Sequence, residues 1–302
     1  MKVIPNTRLI IPAIALFTLS ATAVHSQTLL VHYNLNDGPA GTSVTTINDS
    51  GSNGVDLTGQ GLTWSAEGEG VGGTGISLYD GAATVQYGIR GYNTSTGSVF
   101  DGMTSYTVTG WINMHASQNG GRLLSISNGD GSDQMQIYLN NDYLRVQNNL
   151  GGVASRKDSG TYNMLNQGWV YFAMTIDSTQ STFEDAVKFY FGSETVAATY
   201  LGNASGSVGT IAGLAMGDTS TIVLGNSYNA GTAANNRAII DSNLYDLRIY
   251  GSSSGSSGAL SAAEVENIRQ TAIPESSSIS LVLGIASVGL LSLRLFRRNA
   301  DK

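Results

Sequence analysis

Nine consecutive residues, Tyr106 to Met114 (Tyr-Thr-Val-Thr-Gly-Trp-Ile-Asn-Met), leave this chain few choices of fold. Side chains of an extended strand alternate between two faces, so Tyr106, Val108, Gly110 and Ile112 share one face and Thr107, Thr109, Trp111 and Asn113 the other. Both faces carry bulk, which makes this a central strand. The pattern returns at Trp169 to Asp177 and, after the polar stretch Ser178 to Asp185, at Ala186 to Gly192. That spacing reads as a hairpin with a long turn. Together these stretches predict a two-sheet β core.

Composition supports the same class. The chain has 302 residues, 38 glycines and no cysteine, enough for one large β domain with appendages and no disulfides. Charged residues make up 12% while apolar ones reach 41% and recur with strand spacing, so the chain is not disordered.

Both ends read as addresses. Lys2 and Arg8 precede an apolar run from Leu9 to Leu19 and the small residues Ser20 to Ala23. A basic start, an apolar run and an A-x-A site describe a secretory signal peptide over residues 1–26, cleaved after Ala23 or Ser26. At the other end Pro274-Glu275 is followed by Ser276 to Ser278, an apolar stretch to Leu293, and Arg294, Arg297 and Arg298. A helix over Ile279 to Leu293 spans only about 22 Å, so the flanking serines and a snorkelling Arg294 complete a membrane helix at about 279–296. The terminal arginines stay cytoplasmic and the body lies outside.

Residues 273–302 resemble the PEP-CTERM sorting signal of Gram-negative bacteria, with Ile273 standing where the first proline usually sits. The resemblance implies export across the inner membrane, transient anchoring, processing near Pro274-Glu275 by an exosortase-type enzyme, and residence at the cell surface or in a biofilm matrix. An ordinary tail anchor is the alternative.

Charge is best counted on the exported body. Without Lys2, Arg8, Arg294, Arg297, Arg298, Lys302, Glu275 and Asp301, 9 basic residues face 20 acidic ones, a formal charge of −11. Such a surface repels nucleic acid and excludes it as a partner.

Further strands are expected at Leu29 to Leu35, Gly75 to Gly81, Gly121 to Ser127, Gln134 to Leu139, Asp142 to Gln147, Thr221 to Asn226, Arg237 to Asp241 and Leu244 to Tyr250. In the first, Leu29, Val31, Tyr33 and Leu35 share a face. The loop Asn48 to Gly54 carries side chains that cap their own backbone. Leu260 to Gln270 reads as a helix, with Ser261 as cap and Glu264 three residues on.

The order of these motifs resembles a laminin-G-like, concanavalin A-like jelly roll over residues 27–272. The matching residues are Asn34-Leu-Asn-Asp, Asp49 to Gly54, Tyr106 to Trp111, Trp169 to Asp177, Lys188 to Gly192, Leu224-Gly-Asn, and Tyr245 to Tyr250 followed by Leu260-Ser-Ala-Ala-Glu. The insertion Gly251 to Gly258 departs from the pattern and reads as a flexible loop. The fold expected is an all-β, two-sheet antiparallel sandwich with one short helix near its end.

Chemistry is sparse. Glycoside hydrolases of the superfamily pair two carboxylates, whereas the body's glutamates (Glu67, Glu69, Glu184, Glu194, Glu264, Glu266) form no paired strand constellation. With only His32 and His115 in the body, and no Gly-x-Ser-x-Gly elbow, a nucleophilic triad has no frame. His32, opposite Val31 and Tyr33, reads as a strand surface residue. The resemblance implies a structural calcium held by Asn36, Asp37 and Asp246, since calcium needs six to eight oxygens. Alternatively Asp246 only pairs with Arg248 or a backbone amide. Asn128 to Asp133 is oxygen-rich but reads as a hairpin turn. Trp111 and Trp169 are expected in the core. Tyr92, Tyr143, Tyr162 and Tyr228 lie near loops and are candidate ligand contacts.

The sequence therefore predicts an exported, non-catalytic adhesion module for extracellular polysaccharide or a surface protein. A carbohydrate-active enzyme and a purely structural matrix component are the alternatives.

Overall fold

A computed structural model of the chain describes residues 27–65, 75–78, 90–117, 119–128, 133–149, 155–160, 162–202, 205–208, 215–217, 219–227, 237–239 and 241–273. The signal segment with Ala23 and Ser26, the sorting segment from Pro274 and Glu275 through Arg294, Arg297 and Arg298, and Tyr228 lie outside the described residues. Among the described residues no helix is long and apolar enough to cross a membrane.

In chain order the strands are β1 (Thr28–Tyr33), β2 (Thr46–Ile47), β3 (Leu57–Gln60), β4 (Thr63–Trp64), β5 (Ile76–Leu78), β6 (Arg90–Asn93), β7 (Ser105–Met114), β8 (Asn119–Ser127) and β9 (Asp133–Asn140). They continue as β10 (Tyr143–Asn148), β11 (Ser155–Asp158), β12 (Trp169–Asp177), β13 (Val187–Ser193), β14 (Thr199–Tyr200), β15 (Ser205–Val208), β16 (Thr221–Leu224) and β17 (Ser242–Ser252). A helical turn, α1 (Phe183–Ala186), and one longer helix, α2 (Ala262–Ala272), complete the set among the described residues. One sheet of eight strands runs β14-β13-β12-β7-β17-β5-β4, with β1 also on β17; a second of nine runs β15-β11-β10-β9-β8-β16-β6-β3-β2.

β7 sits between β12 and β17, as its two bulky faces require. Tyr106, Val108 and Ile112 enter the main core with Phe172 and Ile249, against Leu124, Ile126, Ile137, Val146 and Leu224 of the second sheet. Trp111, on the opposite face, enters a second cluster with Tyr171, Ala173, Tyr190 and Tyr250, closed by Leu260, Val265, Ile268 and Ala272. The predicted hairpin is β12 and β13, paired from Val170 with Ser193 to Ile176 with Val187. α1 fills its long turn, capped by Thr182.

One side chain ties the sheets together across the core. Lys157 on β11 is fully buried, opposite Val146. Its Nζ donates to the carbonyls of Glu184 (2.5 Å) and Val187 (2.8 Å) and lies 3.1 Å from the Glu184 carboxylate. A buried ammonium is tolerated only when its charge and donors are met, as they are here.

Four expectations need correction. β1 does not keep a strict alternation, because a bulge between Leu29 and Val31 lets Leu30 into the main core and turns Leu29 toward the α2 cluster. An extra residue in a strand breaks the period of two at that point. Arg237 to Ile239 is not a strand; it follows β16 and β8 through single backbone bonds, Arg122 N to Arg237 O and Ile239 N to Gly225 O. The Gly251 to Gly258 insertion is tied down, since Gly258 N donates to Ser105 Oγ (2.9 Å) and Gly258 O accepts from Thr107 Oγ1 (2.8 Å). A Cβ at Gly258 would come within 2.2 Å of Ser105 O, so the close approach needs glycine. His32, expected on the surface, is half-buried and pairs with Asp246.

Candidate functional site

The outward face of the nine-stranded sheet carries two of the four sequence-predicted tyrosines, Tyr92 on β6 and Tyr143 on β10, four strands apart. Antiparallel partners share a face, so Arg156, Gln147, Gln136, Ser125, Val223 and Tyr92 form one row across β11, β10, β9, β8, β16 and β6. Five inter-strand steps make that row about 24 Å wide. Beside it runs Asp158, Arg145, Tyr138 and Arg122. Tyr143 lies on the same face, two residues before Arg145.

Guanidinium groups and tyrosine rings interleave here. Arg122 stands 4.2 Å and Arg145 5.6 Å from the centre of the Tyr138 ring, and Arg90 lies 4.6 Å from that of Tyr92. Such stacks fix ring and charge together. Asp158 binds Arg145 through both carboxylate oxygens and holds the guanidinium firmly charged. Tyr138 Oη donates to Gln147 (3.2 Å), and Asn140 donates to Tyr143 Oη (3.1 Å). Four of the body's nine basic residues (Arg90, Arg122, Arg145 and Arg156) gather on this one face. In its middle the buried hydroxyls of Ser125, Ser127 and Thr221 have no hydrogen-bond partner.

Tyr162 does not join this face. Its ring stacks on Phe191 with centroids 4.2 Å apart and 6° between planes, packed against the main core. Tyr138, Arg122 and Arg145 were not singled out from sequence, because alternation marks the outward residues of a strand without marking which outward face stays polar.

The outward face of the eight-stranded sheet is built differently. α2 lies across it, started by a capping box in which Ser261 and Glu264 satisfy each other's backbone groups. Tyr171 Oη donates to Val265 O (3.2 Å), and Trp111 meets Tyr171 edge-on at 5.2 Å. Arg269 donates to Glu266 and to the carbonyl of Ser193 (2.6 Å), while Glu266 accepts from Ala198 N (2.7 Å). The Arg269 bond is the main reason the Glu266 carboxyl falls to about 2.

A cleft of about 640 Å³ opens beside the start of α2, floored by Thr175, Tyr190 and Leu260 and rimmed by Asp177, Lys188 and Tyr200. Gln27 reaches Glu264 at its edge. Partial burial works against ionisation of Asp177, yet bonds from Thr179 and Gln180, with Lys188 nearby, hold its carboxyl below the usual range.

The residues that the resemblance assigns to calcium are disposed otherwise. A bulge between Tyr245 and Arg248 places Asp246 in the left-handed region (φ 50°), and its Oδ1 meets His32 Nε2 at 2.7 Å and Arg248 Nη2 at 3.1 Å. Asp246 Oδ2 is buried without a partner. Asn36 and Asp37 are exposed, and Asp37 Oδ2 accepts from Asn48 N and Nδ2, both at 3.1 Å. No group of three or more metal-ligating side chains occurs among the described residues. A carboxylate already facing a guanidinium and an imidazole is the anion of an internal ion pair, so this donor set does not fit calcium. Asp49, in the predicted self-capping loop, accepts from His32 N, Gly51 N and Val55 N.

No protein-family model matches the sequence, and no curated protein matches it. Solved structures do. The binding domain of botulinum neurotoxin serotype G is 13% identical over 80% of this chain and 50% of its own, with a TM-score of 0.50. A structure of botulinum neurotoxin type C, whose cell entry depends on two ganglioside molecules, is 10% identical over 82% and 52%, with a TM-score of 0.53. The Trypanosoma rangeli sialidase bound covalently to a difluorosialic acid is 12% identical over 80% and 32%, with a TM-score of 0.50. The chain thus spans about half the length of the neurotoxin chains and a third of the sialidase. At these identities the likeness is one of fold. The class it defines is the two-sheet, jelly-roll-like β-sandwich.

Proposed function

We propose that this protein is an exported, non-catalytic module that binds extracellular polysaccharide through the outward face of its nine-stranded sheet. The observation that carries this reading is the placement of the partly exposed Tyr92 and Tyr143 on one polar face with Arg90, Arg122 and Arg145. Sugars offer hydroxyl and ring oxygens to fixed N–H donors and C–H faces to aromatic rings; here Tyr92 and Tyr143 are the partly exposed rings, while Tyr138 is buried beside Arg122 and positions its guanidinium. The fold agrees: a neurotoxin C structure is described with gangliosides, and a related binding domain was solved in complex with SialylT. A protein partner is the second reading, because another neighbouring domain was solved with rat synaptotagmin II.

In this account the signal segment 1–26 delivers the chain, and the segment 273–302 anchors it until an exosortase-type enzyme acts near Pro274-Glu275. The test is affinity electrophoresis of the full-length chain, in mild detergent, through gels cast with extracellular polysaccharide. Retardation that is lost in Tyr92→Ala/Tyr143→Ala supports the reading. Equal mobility with and without the polymer overturns it, and release of reducing sugar overturns its non-catalytic part.

A further inference from the structure

We infer that the cleft beside the start of α2 is a second, separate saccharide site, and that it takes a neutral, hydroxyl-rich sugar chain. This goes beyond the function proposed above and does not depend on it, since the two sites lie on outward faces of different sheets.

The cleft has the make-up of a sugar site. It encloses about 640 Å³, within the range of small-molecule pockets. Tyr200 on its rim is 50% exposed, and with Val196 at 59% it is one of the two exposed large apolar side chains among the described residues. Both lie on the β13–β14 hairpin, and Tyr200 is the one that lines the cleft. The Tyr200 ring is held from behind by Tyr190, with centroids 5.8 Å apart at a tilt of 53°. A ring fixed in this way and open on its other side offers a flat surface to the C–H face of a pyranose.

Around it the polar groups are mixed and mostly acceptors. Asp177, Asp185 and Glu264 carry negative charge against the single Lys188, with Thr175 and Gln180 between them. Asp177 is kept ionised by Thr179 and Gln180, which use three of its acceptor positions and leave room for a further donor. Carboxylates in excess repel an anionic sugar and accept from the hydroxyls of a neutral one. The opposite sheet, with its four arginines, has the reverse preference. Where both sites act, one molecule joins two chemically different chains, a consequence that rests on both sites.

The experiment is an array of neutral and uronic-acid glycans probed with the full-length chain and with three variants, each checked for an unchanged thermal midpoint. Neutral glycans should give signal that falls at least tenfold in Tyr200→Ala and in Asp177→Ala, and that persists in Tyr92→Ala/Tyr143→Ala. Tyr200 is half exposed on a two-residue edge strand, so its loss leaves the fold intact. No neutral-glycan signal, or signal indifferent to Tyr200 and Asp177, overturns the second site. Signal that survives in the Tyr92/Tyr143 variant while polymer gels no longer retard it shows both sites. Signal unaffected there, with wild-type gels showing no retardation, leaves the cleft standing and removes the first site.

Discussion

On the eight-stranded sheet the outward residues Trp111, Tyr171, Ala173 and Tyr250 form an apolar cluster with α2, whereas on the nine-stranded sheet the outward residues Arg122, Gln136, Tyr138 and Arg145 are polar or charged even where, as at Gln136 and Tyr138, they are buried. Both faces use the alternate positions of antiparallel strands. The first spends them on a second apolar cluster and leaves a carboxylate-rimmed cleft where the helix begins. The second spends them on guanidinium–ring stacks. A body of charge −11 can therefore still own a cation-bearing face, because net charge says nothing about which side of which sheet holds the exceptions.

The contrast can be broken from the apolar side. Trp111 is fully buried between β7 and α2, so Trp111→Ala should cost about 3–5 kcal/mol through lost contacts and the cavity left behind. Urea unfolding measures it, and a change under about 1 kcal/mol would mean that the second cluster is not a true core. Polymer retardation by the remaining folded protein should persist, because Trp111 does not touch the arginine face.

A smaller effect is expected at Asp246. Asp246→Asn keeps the shape but leaves Arg248 without its counter-charge, at a cost of about 2–3 kcal/mol. A chelator should leave the thermal midpoint of the parent chain unchanged. A midpoint that rises with added calcium would show that Asp246 Oδ2 finds a metal after all.

The smallest effect belongs to the Glu266–Arg269 pair on α2. Glu266 falls to about 2 when folded, below its ordinary 4.5, so it stabilises the fold above the unfolded value and loses that contribution as pH drops from about 4.5 toward 2. Partial exposure limits this to under about 1 kcal/mol. Glu266→Gln should flatten the acid limb of a midpoint-against-pH curve, and an unchanged limb would assign the acid loss to other carboxylates.

Much of the architecture was legible in the sequence. β7, β12, β13 and β17 declare themselves by alternation, and Ser261 with Glu264 marks the start of α2. What escaped depends on partners far along the chain. The bulge at Leu30 breaks a period that the residues alone continue, and the His32–Asp246 pair joins positions 214 residues apart. Tyr92 and Tyr143 were found as loop-proximal tyrosines, but Tyr162 has the same signature and packs on Phe191. Tyr138 was missed because only the register of β8, β9 and β10 brings two arginines onto its ring. The cleft is assembled from β12, β13, β14 and the entry to α2, which no local pattern joins.

The most direct measurement is amide hydrogen exchange of the full-length chain with and without bound extracellular polysaccharide. Binding slows exchange where it damps local opening. Slowing centred on Gln134 to Asn148, which carries Tyr138, Tyr143 and Arg145, is the predicted result. Slowing confined to β12–β14 and α2, or absent altogether, would contradict binding through the nine-stranded sheet.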